Sequence, residues 1–341
     1  TSVPVPYGFA TTAEGYRYFM HATGLDVKIK ELLQGLTDVE DPVQLREVTA
    51  NIRKAICAAD MPDDLADAIR KSYEELGKKV GEANPFVAVR SSATAEDLPD
   101  ASFAGQQDTY LNVQGADMVI QKVKDASTFT DRATYYRTKK GFDHLSVALS
   151  AAVQMMVFSK AAGVMFTVDL VTGDDSTITI EGAWGLGEYV VQGTVTPDNF
   201  KVKKDDLTIL SKMVNTKPIK LVRKPGGDCE EQLVPEDEQK KQVISDEQVK
   251  ELATYAKAIE AHYGCYMDME WGVDERDNKV WLLQARPETV WSKKNKEKQE
   301  KKAAVTTERS VVVKGLPASP GSAAGKAHVI LDPAQIAEFK D

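Results

Sequence analysis

The sequence predicts an α+β fold, on three observations. Apolar residues recur at helical spacing through the first ~80 positions. Between 145 and 215 the pattern changes to short apolar runs bounded by turn residues, the signature of strands. The composition, 42% hydrophobic and 28% charged over 341 residues, is that of a globular chain. The length suits about two domains at roughly 150 residues each.

The elements follow in order. Asp41-Pro42 opens a helix with Leu45, Val48, Ile52 and Ile56 on one face. Asp63-Asp64 opens another, carrying Leu65, Ile69, Tyr73 and Leu76. A short strand at 86–89 leads into a polar loop over 90–107, and a second strand covers 109–113. Helices are expected over 116–124 and 131–140. The stretch 145–166 is apolar enough to consider as a membrane helix, but it holds Gln154, Lys160 and a small-residue break at 159–163. Two buried strands joined by a turn fit it better, so no membrane partner is expected. Strands are expected over 177–181 and 199–203, then loops and a hairpin through the polar, Pro/Gly-rich 213–246. Asp246 is read as the cap of a helix carrying Val249, Leu252, Ala256 and Ile259. Strands over 267–272 and 279–286 close the series, joined by a turn at 274–278. The run 292–302 has no apolar residue and reads as linker. Short strands at 311–313 and 327–330 flank Gly315-Leu316-Pro317-Ala318-Ser319-Pro320-Gly321.

Charge and cysteines narrow the classes. Fifty-two acidic against 43 basic residues give a net charge of −9, which argues against a nucleic-acid partner. Cys57, Cys229 and Cys265 are far apart and form no C-x-x-C pair. That disfavours a disulfide framework or a zinc site and fits a reducing, cytoplasmic setting. The first residues show no signal-peptide pattern. No histidine stands in a nucleophile-like or metal-like context; His262 beside Tyr263 reads as structural.

The strands near 267–286 carry the most chemical information. Alternation places Met267, Met269 and Trp271 on one face and Asp268 and Glu270 on the other. On the partner strand Trp281, Leu283 and Ala285 fit the apolar face; Leu282, Gln284 and Arg286 fit the opposite one. Glu270, Gln284 and Arg286 then converge above a dry layer. A carboxylate and an amide oxygen suit Mg²⁺, and a guanidinium suits a phosphoryl group. A structural Glu–Arg pair on an exposed sheet face satisfies the same spacing. The long loop beginning at Arg90 and ending at Thr109 is rich in small and hydroxyl residues, which let backbone N–H groups approach an anion. An ordinary capped surface loop is the other reading. Gly185-Leu186-Gly187-Glu188 lacks the full dinucleotide spacing and fits a helix start packed close to a strand. Gln154, within Val153-Gln154-Met155-Met156-Val157, is either a satisfied core amide or part of a strand that meets a flat aromatic base.

These residues also carry a resemblance. Val89 to Asp97, Ser102 to Asn112, Ala183-Trp184-Gly185-Leu186-Gly187-Glu188 with Val191-Gln192-Gly193 and Pro197-Asp198, and Leu283 to Thr289 resemble the nucleotide-binding domain of the phosphoenolpyruvate synthase family, within the wider pyruvate phosphate dikinase group. The segment 315–321 resembles the opening of that family's phosphohistidine domain. The resemblance covers nearly the whole chain.

It implies an ATP-grasp fold over 1–291, with lobes of about 1–150 and 151–291 holding ATP between them. A charged linker at 292–310 and the truncated start of a phosphohistidine domain at 311–341 would follow. It places Arg90 and Thr109 at the ATP phosphates, and Gln154, Met155, Met156 and Val157 at the adenine. Glu270 and Gln284 fall on Mg²⁺, and Arg286 at the transferred phosphates, with Arg90 and Arg286 as the catalytic cations. The family passes phosphoryl groups from ATP to a histidine on a mobile domain. Pyruvate at a separate domain then becomes phosphoenolpyruvate, with AMP and phosphate released. The family's Gly-Gly-Lys-Gly segment is expected ahead of residue 1 and its acceptor histidine beyond residue 341; His328 does not match that motif. The chain alone is therefore expected not to complete the reaction. Rifamycin phosphotransferases share a similar loop but place an antibiotic-binding domain after the Gln-Ala-Arg-Pro segment. A nucleotide-binding module without catalysis is the alternative from another class.

Overall fold

The structure, a computed structural model, describes residues 2–94, 97–98, 101–102, 108–126 and 129–292. After β1 (Gly8–Ala10), four helices follow: α1 (Ala13–Ala22), α2 (Leu25–Leu33), α3 (Pro42–Ala58) and α4 (Asp63–Val80). Next come β2 (Val87–Ala93), the two-residue strands β3 (Asp97–Leu98) and β4 (Ala101–Ser102), β5 (Thr109–Val113), α5 (Ala116–Ala126) and α6 (Asp131–Lys140). The remainder is β6 (Leu149–Met155), β7 (Ser159–Phe166), β8 (Thr177–Trp184), α7 (Glu188–Val191), β9 (Asp198–Lys203), β10 (Ile209–Met213), β11 (Ile219–Arg223), β12 (Cys229–Leu233), α8 (Asp246–Tyr263), β13 (Met267–Asp274) and β14 (Val280–Pro287).

Local chemistry sets these limits. Asp41 caps α3 by accepting from the N–H groups of Val43 and Gln44, and Pro42 takes the first helical position, where a missing N–H does no harm. Ser245, not Asp246, caps α8: Ser245 and Gln248 form a reciprocal capping box, and Asp246 lies inside the first turn. That helix ends at Gly264 in the left-handed region, φ 67°.

Two sheets result. One has the order β1-β6-β2-β5 and the other β10-β9-β8-β7-β13-β14. Helices α1 to α6 supply the apolar cover of the first through two clusters of buried side chains. The second buries Met267, Met269, Trp271 and Val273 under α8, which contributes Val249, Leu252 and Ala256. The β11–β12 ribbon is a separate two-stranded sheet, tied to the end of β8 by a Gly185–Leu221 bridge.

Several expectations are corrected here. The opening is not wholly helical, since β1 pairs with β6. β2 continues through Ala93, so Arg90 sits within a strand and not at the start of a loop. The two strands of 145–166 do form, but they belong to different sheets. The chain leaves the first sheet after Met155 and enters the second at Ser159. The expected turn at 159–163 is therefore the start of β7. Gly163 is small for packing: a Cβ there would lie 1.9 Å from the Glu181 carbonyl oxygen of the adjacent strand. The readings over 293–341, including the strands at 311–313 and 327–330, lie outside the described residues.

Candidate functional site

The β13–β14 pair shows why the sequence placed its charged residues well and its apolar ones poorly. Glu270 lies opposite Gln284, and Asp268 opposite Arg286. Directly opposed residues share a face, so Glu270, Gln284 and Arg286 do line up as expected. Beyond Glu270 the register slips, and Trp271 pairs with Leu282. Leu283 is the extra residue of a bulge. The slip turns Leu282 and Val280 into the core, 3% and 1% exposed. Leu282 therefore does not share the Gln284 face, and Trp281 and Leu283 lie outside the apolar layer. Below the charged face, Met269 and Trp271 are fully buried, and Trp271 Nε1 donates to the Val164 carbonyl at 3.1 Å.

Arg90 reaches this face from the other sheet. Its Nη2 donates to Glu270 Oε2 at 2.8 Å, and both side chains are about one-fifth exposed. Thr109 lies opposite Arg90 in the β2–β5 register. Arg286 Nε donates to Asp268 Oδ2 at 2.9 Å. Burial pushes the Asp268 carboxyl above its ordinary range, while Arg286 pulls it back down.

A cleft opens where the two sheets meet. Arg90, Gln154, Met155, Met156 and Val157 line it, as do Leu186, Gly187 and Glu188. The strand expected at a flat base and the arginine expected at phosphates thus border one space. The Met155 and Met156 N–H groups donate to the carbonyls of Tyr7 and Phe86, 2.7 and 2.9 Å away. Gln154 Nε2 faces the Leu283 carbonyl at 3.4 Å. Gln284 instead borders a groove beside α8 with Val3, Val5 and Tyr263.

The Gly185-Leu186-Gly187-Glu188 segment is a helix start packed close to a strand, and it also reaches the cleft. Gly185 has φ 81°, and a Cβ there would lie 2.3 Å from the Leu221 carbonyl oxygen. Gly187 caps the short α7. Glu188 is the residue that sequence reasoning passed over. Its Oε2 is buried with no hydrogen-bond partner, and burial raises its carboxyl, with Arg90 opposing and Glu270 reinforcing. The only sequence signal was its position after the glycines. Asp268 was placed on the correct face but given no role.

The donor set favours an anion and a hard cation together. Arg90 Nε is buried without an acceptor, and Glu188 Oε2 without a donor. A phosphate oxygen answers the first and a cation the second. Among the described residues no three His, Cys, Asp or Glu side chains assemble as a ready metal cage. Mg²⁺ seldom needs one, because it takes one or two protein oxygens and completes its shell with water and substrate phosphates. Glu270 and Gln284 fit that requirement.

A cleft between two sheets that holds a buried, unsatisfied arginine nitrogen suits an anionic ligand. Comparison with known proteins agrees. Residues 1–307 match the family described as "Pyruvate phosphate dikinase, AMP/ATP-binding domain", and the chain belongs to that family. It is 47% identical over 341 residues to a probable phosphoenolpyruvate synthase of Methanocaldococcus jannaschii, covering 99% of this chain and 28% of that protein. It is 43% identical to the phosphoenolpyruvate synthase of Pyrococcus furiosus, covering 99% of this chain and 46% of that protein. The phosphoenolpyruvate synthase of Neisseria meningitidis is 43% identical, with 98% and 44% covered. The chain thus spans less than half the length of each of these relatives.

Proposed function

We propose that the chain is the ATP-binding part of a cytoplasmic phosphoenolpyruvate synthase, with an ATP-grasp fold whose two lobes carry the two sheets. The observation that supports this best is that Arg90 and the Gln154–Val157 segment line one cleft, and that Arg90 is bonded to Glu270 of the other sheet.

In this reading the base lies against Gln154, Met155, Met156 and Val157, and the phosphates run toward Arg90, Thr109 and Arg286. Glu270 and Gln284 hold Mg²⁺, which neutralises developing charge on the phosphoryl oxygens when bound. Arg90 and Arg286 add fixed positive charge in a partly water-excluded site, where it acts more strongly than in water. Asp268 orients Arg286 through the Nε bond. Arg90 and Glu270 are already paired, so each would exchange its partner when it meets a phosphate oxygen or a cation. The phosphoryl group then passes to a histidine on a mobile domain of the longer protein and on to pyruvate, with 292–310 as the linker and 311–341 as the opening of the histidine domain. The names of the relatives favour this over a rifamycin phosphotransferase.

Calorimetric titration with ATP, with and without MgCl₂, tests the reading. Metal-dependent heat in the unaltered chain, lost in Glu270→Ala, is the expected result. No binding of ATP by the unaltered chain overturns it.

A further inference from the structure

The β11–β12 ribbon belongs to neither large sheet, yet it packs against residues that line the cleft. Leu221 packs with Ala88, Met156 and Leu186, three of the cleft-lining residues. The Leu186 N–H donates to the Leu221 carbonyl at 2.9 Å. The ribbon therefore backs three residues of the cleft wall.

One side chain ties the ribbon to the first sheet. Asn112 Nδ2 donates to two carbonyls of the ribbon's turn, Lys224 O at 2.8 Å and Asp228 O at 2.7 Å. Asn112 is fully buried. Its backbone is left-handed, φ 56°, at a register slip between β2 and β5. That conformation turns the amide out of the sheet ladder. Glycine and aspartate tolerate the same backbone, but glycine has no donors and an ionised aspartate has only acceptors. Asparagine alone among them meets both conditions. Beside this tie, Arg223 lies over the Phe158 ring at 3.5 Å, anchoring the ribbon to the crossing between the sheets.

We propose that Asn112 is a positioning residue for the nucleotide base: by clamping the β11–β12 turn it holds Leu221 against the cleft and fixes the slot a purine ring enters. The inference rests on the ATP reading above. Base affinity then depends on Asn112, while affinity for the phosphate chain depends on Arg90, Arg286 and the metal residues and does not.

Asn112→Asp and Asn112→Gly separate these, the second keeping the backbone without adding charge. Titrations with ATP, GTP and inorganic tripolyphosphate, each with Mg²⁺, form the first arm. ATP affinity is expected to fall about tenfold or more in both variants. Preference for ATP over GTP narrows, and tripolyphosphate affinity stays within about twofold. A merely structural role weakens all three ligands alike; that result, or unchanged ATP affinity, overturns the proposal. Hydrogen exchange at the Leu186 amide, without ligand, is the second arm. Exchange about tenfold faster in Asn112→Gly is expected, and unchanged exchange overturns the clamp. Should the unaltered chain bind no ATP, the ATP reading fails and takes the role in base binding with it, while this second arm still decides whether the clamp exists.

Discussion

The two halves of the molecule handle buried charge in opposite ways. Around the six-stranded sheet, most buried charges are paired, Glu288 being held instead by the Val290, Trp291 and Ser292 N–H groups. Asp198 and Lys217 are both fully buried and bonded to each other, and Asp198 also accepts from the Asn215 and Val243 N–H groups. Asp274 holds Arg276 through two bonds of 2.9 and 2.7 Å. Around the four-stranded sheet, buried cations have no carboxylate beside them. Lys124 donates to the carbonyls of Cys57 and Ala59. Arg137, 2% exposed, lies over the Phe129 ring at 4.3 Å, and its Nε and Nη2 have no partner. One half answers buried cations with carboxylates, the other with carbonyl dipoles and a ring face. The Arg90–Glu270 pair is where the two halves meet, a cation from one and an anion from the other.

The largest expected effect lies at that meeting point. On the proposed reading, Glu270→Ala should lower Mg²⁺-dependent phosphotransfer in the full-length protein by about a thousandfold, because it would remove a metal ligand and free Arg90 at once. Its melting temperature should move little, and a large drop would mean the pair is structural. Lys217→Met comes next. It strands Asp198 in a fully buried position and should cost about 3–5 kcal/mol in chemical denaturation.

An acid effect should follow in the other half. Burial, with Arg137 adding to it, holds the His144 imidazole down at about 4. His144 Nε2 meets Thr138 Oγ1, whose proton goes to the Thr134 carbonyl, so the neutral ring carries its proton on Nε2. A depressed folded value means stability present above pH 6.5 and lost as pH falls toward 4. The loss should amount to roughly 2–3 kcal/mol, and His144→Phe should flatten that stretch of the stability profile. Arg137→Met is expected to have the smallest effect, within about 1 kcal/mol of the parent. It orphans no carboxylate, and the cation–ring attraction it removes is worth about as much. A destabilisation as large as that of Lys217→Met would erase the distinction between the halves.

The parts of this fold legible in the sequence were those governed by local period and local caps. Helices α3 and α4 followed from apolar spacing and Asp41-Pro42, and the faces of Asp268, Glu270, Gln284 and Arg286 from strict alternation. What failed depended on neighbours in space. Leu282 and Leu283 exchanged faces because of one bulge, which no residue at 281–284 announces. The small residues at 159–163 resembled a turn because close approach between strands and reversal of a chain call for the same residue types. The true crossing, Met156-Val157-Phe158, is apolar and carries no turn signal. Glu188 and Asn112 acquire meaning only from what lies opposite them: a cleft in one case, two carbonyls in the other.

The opening residues hold a consequence for the order in which the chain can assemble. Pro4 accepts from the Leu282 N–H at 2.9 Å, and Val3 packs into the core of the six-stranded sheet, while β1, a few residues later, joins the four-stranded sheet. On the ribosome the strands of the first sheet are all available once β6 has emerged. The segment before β1 must wait for β14, which is made long after β6. At about 5–20 residues per second that is a delay of roughly 15–55 s. Val3 and Pro4 thus find their partners long after they are made, and the strap they form cannot be set until both halves exist.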